Sequence, residues 1–181
     1  MRLPKELAMS FNLIVTHEHG GENYRAVLSE LRRLLGEAVV VDAGPSIILL
    51  KVGDPYKAVE ELKSASLTPL IYRVVPVDRV LDPFVEAVAE EAGRLAEERI
   101  PVDKTYRVTL HGRLYWRETR LPAHSSDAVR VIAEKINRRV SLTHPDYVVY
   151  VRCVKLYHRR RLATLTIAPV DKIVSLKSGK L

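Results

Sequence analysis

Ala38-Val-Val-Val-Asp-Ala-Gly-Pro-Ser-Ile-Ile-Leu-Leu-Lys-Val52 holds two apolar, β-branched runs, Ala38–Asp42 and Ile47–Val52, separated by Ala43-Gly44-Pro45. Short Val/Ile-rich runs bounded by turn residues read as strands, and the Gly-Pro punctuation joins them as a hairpin. Upstream, Phe11-Asn-Leu-Ile-Val-Thr16 is another strand. Gly20-Gly21 then leads into a helix from about Asn23, whose Tyr24, Val27, Leu28, Leu31 and Leu35 recur at helical spacing up to the stop at Gly36. Downstream, Asp54-Pro55 supplies an N-cap and a first-turn proline for a helix turning Ala58, Val59 and Leu62 inward, and Pro69–Val75 is a fourth strand. The order β-α-β-β-α-β is the split-βαβ, ferredoxin-like pattern, assigned here to residues 1–78.

The remainder follows a second plan. Asp82-Pro83 is expected to open a helix to about Arg99 with Val85, Val88, Ala89, Ala92 and Ala96 as its buried stripe. Thr105–His111 alternates, with Tyr106, Val108 and Leu110 on one face and Arg107, Thr109 and His111 on the other. Ser125-Ser126-Asp127 begins a helix with Val129, Ile132, Ala133 and Ile136 inward. Strands near Tyr147–Val154 and Leu162–Ile167 follow, joined by the basic turn His158-Arg159-Arg160-Arg161. Residues 79–170 therefore read α-β-α-β-β, and residues 171–181 form a short basic tail, so the fold class is α+β.

Charge is divided between the two parts. Residues 101–181 hold 17 Lys/Arg against 6 Asp/Glu, a net +11, whereas residues 1–100 hold 12 against 16, a net −4. A one-signed field confined to one segment attracts polyanions, of which nucleic acid is the commonest. Cys153 is the only cysteine, so there is neither an internal disulfide nor a thiolate cluster for zinc. With no apolar run long enough to span a membrane and no signal-peptide core at the start, a cytoplasmic protein away from membranes is expected.

Motifs of catalysis are missing. No Gly-x-Ser-x-Gly elbow frames a serine, and Gly20-Gly21 has neither dinucleotide nor P-loop spacing. His17-Glu18-His19 lacks a clear third ligand, so no metal is expected, and His111 and His124 are read as assisting RNA contact. The basic residues form a coherent set. His111-Gly-Arg-Leu-Tyr-Trp-Arg-Glu-Thr-Arg120 interleaves Arg113, Arg117 and Arg120 with Tyr115 and Trp116. Guanidinium groups fork onto phosphate oxygens, and exposed aromatics stack on unpaired bases. Trp116 reads equally as a stacking platform or as a packing anchor between the domains. Lys135, Arg138 and Arg139 close a helix, where cations also complement the dipole. The candidate RNA-contacting residues are Arg107, His111, Arg113, Trp116, Arg117, Arg120, Lys135, Arg138, Arg139, Arg159, Arg160 and Lys172.

Three stretches carry a family resemblance. Val140-Ser-Leu-Thr-His-Pro-Asp-Tyr-Val-Val-Tyr-Val151 resembles the Val-Asp-Leu-x-Asn-Pro-Asp-x-x-Val-x-Val signature of THUMP domains. Thr105-Tyr-Arg-Val108 resembles their Thr-Phe-x-Val strand. Ile71-Tyr-Arg-Val-Val-Pro-Val77 and Cys153-Val-Lys155 are similar to segments of the stand-alone tRNA acetylation adaptors. The resemblance implies a ferredoxin-like domain followed by a THUMP domain, together recognising tRNA at its acceptor stem and 3′ end. It also implies that the chain is not itself an enzyme. No catalytic domain is expected beyond the THUMP strands, and the implied role is to present tRNA to a separate acetyltransferase forming acetylcytidine in the D arm. No cofactor is expected on the chain itself; acetyl-CoA and ATP would belong to the partner. Two rivals stay open: a subunit of another tRNA-modifying enzyme, of methyltransferase or thiouridine synthase type, and an RNA-processing enzyme using His111 or His124 as a base. The chain departs from the family pattern at Ser141 and His144, and carries Thr109 and His111 where basic residues are common.

Overall fold

The computed structural model describes residues 11–156 and 160–176. The described residues divide into two compact units, Asp78–Val170 forming one and residues 11–77 with 171–176 the other.

In the first unit, β1 (Leu13–His17), α1 (Gly21–Leu35), β2 (Val39–Gly44), β3 (Ile47–Lys51), α2 (Pro55–Lys63) and β4 (Ile71–Pro76) follow the expected order. The β4-β1-β3-β2 arrangement is antiparallel throughout, which is the ferredoxin-like topology. Val27 and Leu31 of α1 and Val59 and Leu62 of α2 pack with Leu13, Val15, Ile48, Leu50 and Ile71, all fully or almost fully buried. The α2 start is built as its sequence implies: the Asp54 carboxylate accepts from the N–H groups of Tyr56 and Lys57 at 3.1 and 3.2 Å, with Pro55 next to the cap. The Asn12 side chain both donates to Val52 O and accepts from Val52 N, each at 2.9 Å, fastening the entry of β1 to the exit of β3.

The second unit contains β5 (Arg79–Leu81), α3 (Val85–Arg99), β6 (Thr105–His111), α4 (Ser125–Glu134), β7 (Arg139–Val140), β8 (Tyr147–Lys155) and β9 (Arg161–Pro169). Its sheet runs β5-β9-β8-β6-β7, with β6 parallel to β7 and β8 and the other pairs antiparallel. Val149 and Val151 of β8, Leu165 and Ile167 of β9, and Tyr106 of β6 form a core with Val88, Ala92 and Leu95 of α3 and Ile132 of α4. Gly93 allows the helices to close: a Cβ there would lie 2.7 Å from the Lys135 carbonyl oxygen.

Two expectations need correction in this unit. The short strands β5 and β7 lie below the length at which periodicity is visible. Asp82-Pro83 does not cap α3, whose N-cap is Phe84 with no side-chain cap bond. The backbone of a neighbouring segment serves instead: Tyr115 O accepts from Val85 N at 2.9 Å, and Tyr115 N donates to Pro83 O at 2.9 Å. In α4, His124 is the cap residue, its ring nitrogen accepting from Ser126 N, and Val129 and Ala133 are only half-buried. The expected alternation of β6 is present. Tyr106, Val108 and Leu110 pack on the helical side, and Arg107, Thr109 and His111 lie on the other.

The segment after Asp171 is more than the expected short basic tail. Val174–Ser175 forms a further strand, β10, which returns to the first unit and runs antiparallel to β4 on the outer edge of its sheet; Leu176 N donates to Tyr72 O at 2.8 Å. A bare strand edge offers unpaired N–H and C=O groups, and the segment that pairs with it buries its apolar Ile173 and Val174 as it does so. Residues 177–181 lie outside the described residues.

Candidate nucleic-acid interface

Strand direction divides the basic residues between the two ends of the second unit's sheet. The parallel strands β6 and β8 begin at Thr105 and Tyr147 and end at His111 and Lys155. At an extended rise the length of β8 separates the ends by roughly 25 Å. Arg139, paired opposite Thr105, marks the first end, and Arg113, Lys155 and Arg161 gather at the other.

At that second end, Phe84 and Tyr115 form a parallel bridge, and Tyr115 pairs again with Pro122. This backbone holds two rings in place, and each carries a guanidinium. Arg120 lies 4.7 Å from the Phe84 ring centroid, and Arg161 lies 5.4 Å from that of Tyr115 while also donating to its hydroxyl. Such stacks fix a cation by its contact with the ring and leave its outer face for a ligand. Arg120 holds a φ of 65°, a left-handed conformation that a non-glycine residue adopts at a cost. Together with Asp82, Pro83 and Arg160, these side chains line a cleft of about 270 Å³. A neighbouring hollow of about 220 Å³ shares Tyr115 and Arg161 and adds Gly112, Arg113, Cys153 and Lys155. Gly112 is required there: its φ is +94°, and a Cβ would lie 2.8 Å from that of Cys153. Burial pushes the Cys153 thiol up to about 12, partly opposed by Arg152, which leaves it protonated and unreactive.

The candidates from the sequence are placed unequally. Arg113, Arg120 and Arg160 line the two hollows. Arg113 is exposed and donates to Ala123 O at 3.0 Å. Arg117 is exposed in the same loop, its backbone N–H bonded to the Glu86 carboxylate at 3.0 and 3.1 Å. Trp116 is half-buried and packs on the second unit's own core. His111 stacks at a tilt on Tyr150, with ring centroids 5.3 Å apart, and Arg107 donates to Leu142 O at 3.2 Å. Lys135 and Arg139 are exposed. The Arg138 side chain is 5% exposed; it donates to Ile100 O at 2.7 Å and pairs with Glu97 at 3.3 Å, tying the end of α3 to the start of β7. Lys172 belongs to the first unit and pairs with Glu60 at 3.1 Å. Arg159 lies outside the described residues.

Phe84, Lys155 and Arg161 complete the cluster and are not among the candidate RNA-contacting residues read from the sequence. Phe84 follows an Asp-Pro pair that reads as a helix start, and Arg161 reads as the end of a turn although it begins β9. Lys155 is legible in principle, because alternation along β8 sets it on the face of Cys153. In the first unit, His17 is fully buried with Nδ1 2.7 Å from Glu18 O, whereas His19 is exposed, so the two imidazoles occupy different environments. The described residues hold no group of three or more His, Cys, Asp or Glu arranged for a metal, and no helix among them is long and apolar enough to cross a membrane.

No protein-family model and no curated protein matches the chain. Solved structures do. The chain is similar to PH1313 from Pyrococcus horikoshii Ot3, at 16% identity and a TM-score of 0.60 over 88% of this chain and 55% of that one. It is similar to a 4-thiouridine synthetase in a complex with RNA and bound ATP, at 12% identity and a TM-score of 0.53 over 88% of this chain and 42% of that one. It is also similar to TrmN from Thermus thermophilus, at 20% identity and a TM-score of 0.51 over 86% of this chain and 44% of that one. The chain thus spans about half the length of these proteins, and at such identities the likeness is one of fold. That fold is α+β, a ferredoxin-like unit followed by a THUMP arrangement.

Proposed function

We propose that the protein is a tRNA-binding adaptor that presents tRNA to a separate modifying enzyme, an acetyltransferase forming acetylcytidine in the D arm. The observation that carries RNA binding is the convergence of Arg113, Arg120, Arg160, Arg161 and Lys155 around Phe84 and Tyr115. Cations held against rings bind phosphate and stack on unpaired bases. The fold shared with a synthetase crystallised on RNA supports the same reading. Assignment of the partner rests on the adaptor-like segments Ile71–Val77 and Cys153–Lys155.

The test is titration of full-length tRNA, and of tRNA lacking its 3′ end, over a salt series. Tight binding abolished by trimming is expected. Charge reversal of Arg120 and Arg161 should lower affinity and flatten the slope of log K against log salt by about 0.7–0.9 for each phosphate no longer neutralised. Unchanged affinity and slope in that variant reject the interface. Addition of the acetyltransferase with acetyl-CoA and ATP then decides the partner: acetylation of tRNA that depends on this chain supports the assignment, and co-purification with a methyltransferase or thiolation enzyme instead rejects it.

A further inference from the structure

The cleft between Phe84 and Tyr115 contains one group that phosphate binding does not explain. Asp82 lines it beside Arg120, Arg160 and Arg161, yet no described residue donates a hydrogen bond to its carboxylate or forms an ion pair with it. An ionised carboxylate is an acceptor only, and beside the three arginines of this wall it repels the phosphate that they attract. Its backbone is fixed, since Asp82 O accepts from Phe84 N at 2.8 Å and the next residue, Pro83, accepts from Tyr115 N. Position near the start of α3 gives the charge a favourable dipole, but that accounts for stability and not for its place in the cleft wall.

The cleft's other features narrow what it can hold. Its volume of about 270 Å³ falls at the small end of ligand sites, below what a drug-sized molecule fills. Two aromatic rings with guanidinium planes upon them offer flat surfaces to a flat ligand. A base in a duplex cannot present its face, so the occupant is unpaired. Donors facing Asp82 must come from the base edge.

We propose that this cleft takes a single unpaired nucleotide and that Asp82 selects a base with an exocyclic amine, cytosine being the clearest case, against uracil. Cytosine N4 donates to a carboxylate, whereas uracil places a carbonyl oxygen at the same position and meets Asp82 acceptor to acceptor. The neighbouring cations hold the flanking phosphate. This selectivity rests on the RNA-binding reading given above and adds to it a base preference that phosphate contacts cannot supply.

The experiment uses the full chain and hairpin RNAs of one stem, each bearing a single-stranded 3′ extension of either four cytidines or four uridines, titrated against the wild type and Asp82→Ala. Exchange of cytosine for uracil leaves the protein untouched, so it tests the site even if a variant folds poorly. The cytidine extension is expected to bind roughly tenfold more tightly to the wild type. In Asp82→Ala the ratio should fall to near one, even though loss of a negative charge strengthens RNA binding in general. A purely structural Asp82 would alter both affinities and leave their ratio alone. Equal binding of the two extensions by the wild type overturns the base preference while the tRNA-binding reading stands. A preference that survives Asp82→Ala overturns the role of this residue. Failure to bind either hairpin or tRNA overturns both readings.

Discussion

The carboxylate of Asp146 accepts two hydrogen bonds from Thr105, one from the backbone N–H at 2.9 Å and one from the hydroxyl at 3.1 Å, while Asp146 N lies 3.2 Å from the same hydroxyl. The turn before β8 is thereby fastened to the first residue of β6, fixing the parallel register from which both strands run toward the Arg-Tyr cluster. These bonds hold the Asp146 carboxyl below its ordinary value, with Lys104 and Arg139 contributing smaller attractions. A carboxylate with a lowered folded-state value stabilises the fold above its unfolded value, near pH 4, and that contribution disappears as pH falls through the folded value. Asp146→Ala should therefore lower Tm at pH 7, and the gap to wild type should close toward pH 2. Thermal melts across that range check it; a gap independent of pH would reject the assignment.

Arg138 and the cleft arginines should separate cleanly by what their removal disturbs. Arg138→Ala removes a nearly buried donor from Ile100 O and is expected to cost about 1–3 kcal/mol in denaturant unfolding. Its tRNA affinity at fixed salt should stay within twofold of wild type. A fall in affinity comparable with that of the Arg120 and Arg161 reversal, with stability unchanged, would contradict this division.

Arg120 pays for its place with backbone strain. Glycine accepts a φ of 65° freely, so Arg120→Gly gains what the strain costs and forgoes the stack on Phe84, each about 1 kcal/mol and of opposite sign. Stability should change by less than about 1 kcal/mol. Affinity for tRNA should nevertheless drop several-fold. Paired denaturation and binding curves measure both.

Cys153 should resist modification. A thiol raised to about 12 carries roughly one part in ten thousand of thiolate at pH 8. Maleimide labelling of the native protein at that pH is expected to be orders of magnitude slower than labelling in denaturant. Rapid labelling of the folded chain would show that the hollow beside Gly112 opens.

Legibility in the sequence followed the range of the interactions involved. The strand and helix order of the first unit is written in contiguous apolar patterns, and the Asp54-Pro55 helix start is a local device that local reading finds. Asp82-Pro83 looks the same locally but is overridden, because Val85 N is satisfied by Tyr115 O, thirty residues away. The two-residue strands β7 and β10 carry no period to read, and β10 depends on an edge formed a hundred residues earlier. Basic character marks the second unit and the loop that carries Arg113, Arg117 and Arg120. It could not tell Arg138, which braces the fold, from Arg120, which lies on a ring, since that difference is made by Ile100 O and Phe84. At Ser141 the departure from the family pattern has a simple outcome: its hydroxyl accepts from His144 N at 3.2 Å, the bond a shorter side chain can still make.

Because β10 joins β4 only after Asp78–Val170 has been traversed, the second unit is an insertion within the first. On a ribosome the order of emergence then differs from the order of completion. The ferredoxin-like sheet begins to form first yet keeps the outer edge of β4 open until the whole inserted unit has been made, so β10 can join it only afterwards. A nascent chain halted near residue 170 would have that edge available to other chains, and removal of residues 171–176 would bare it again in a unit whose other strands lie a hundred residues earlier.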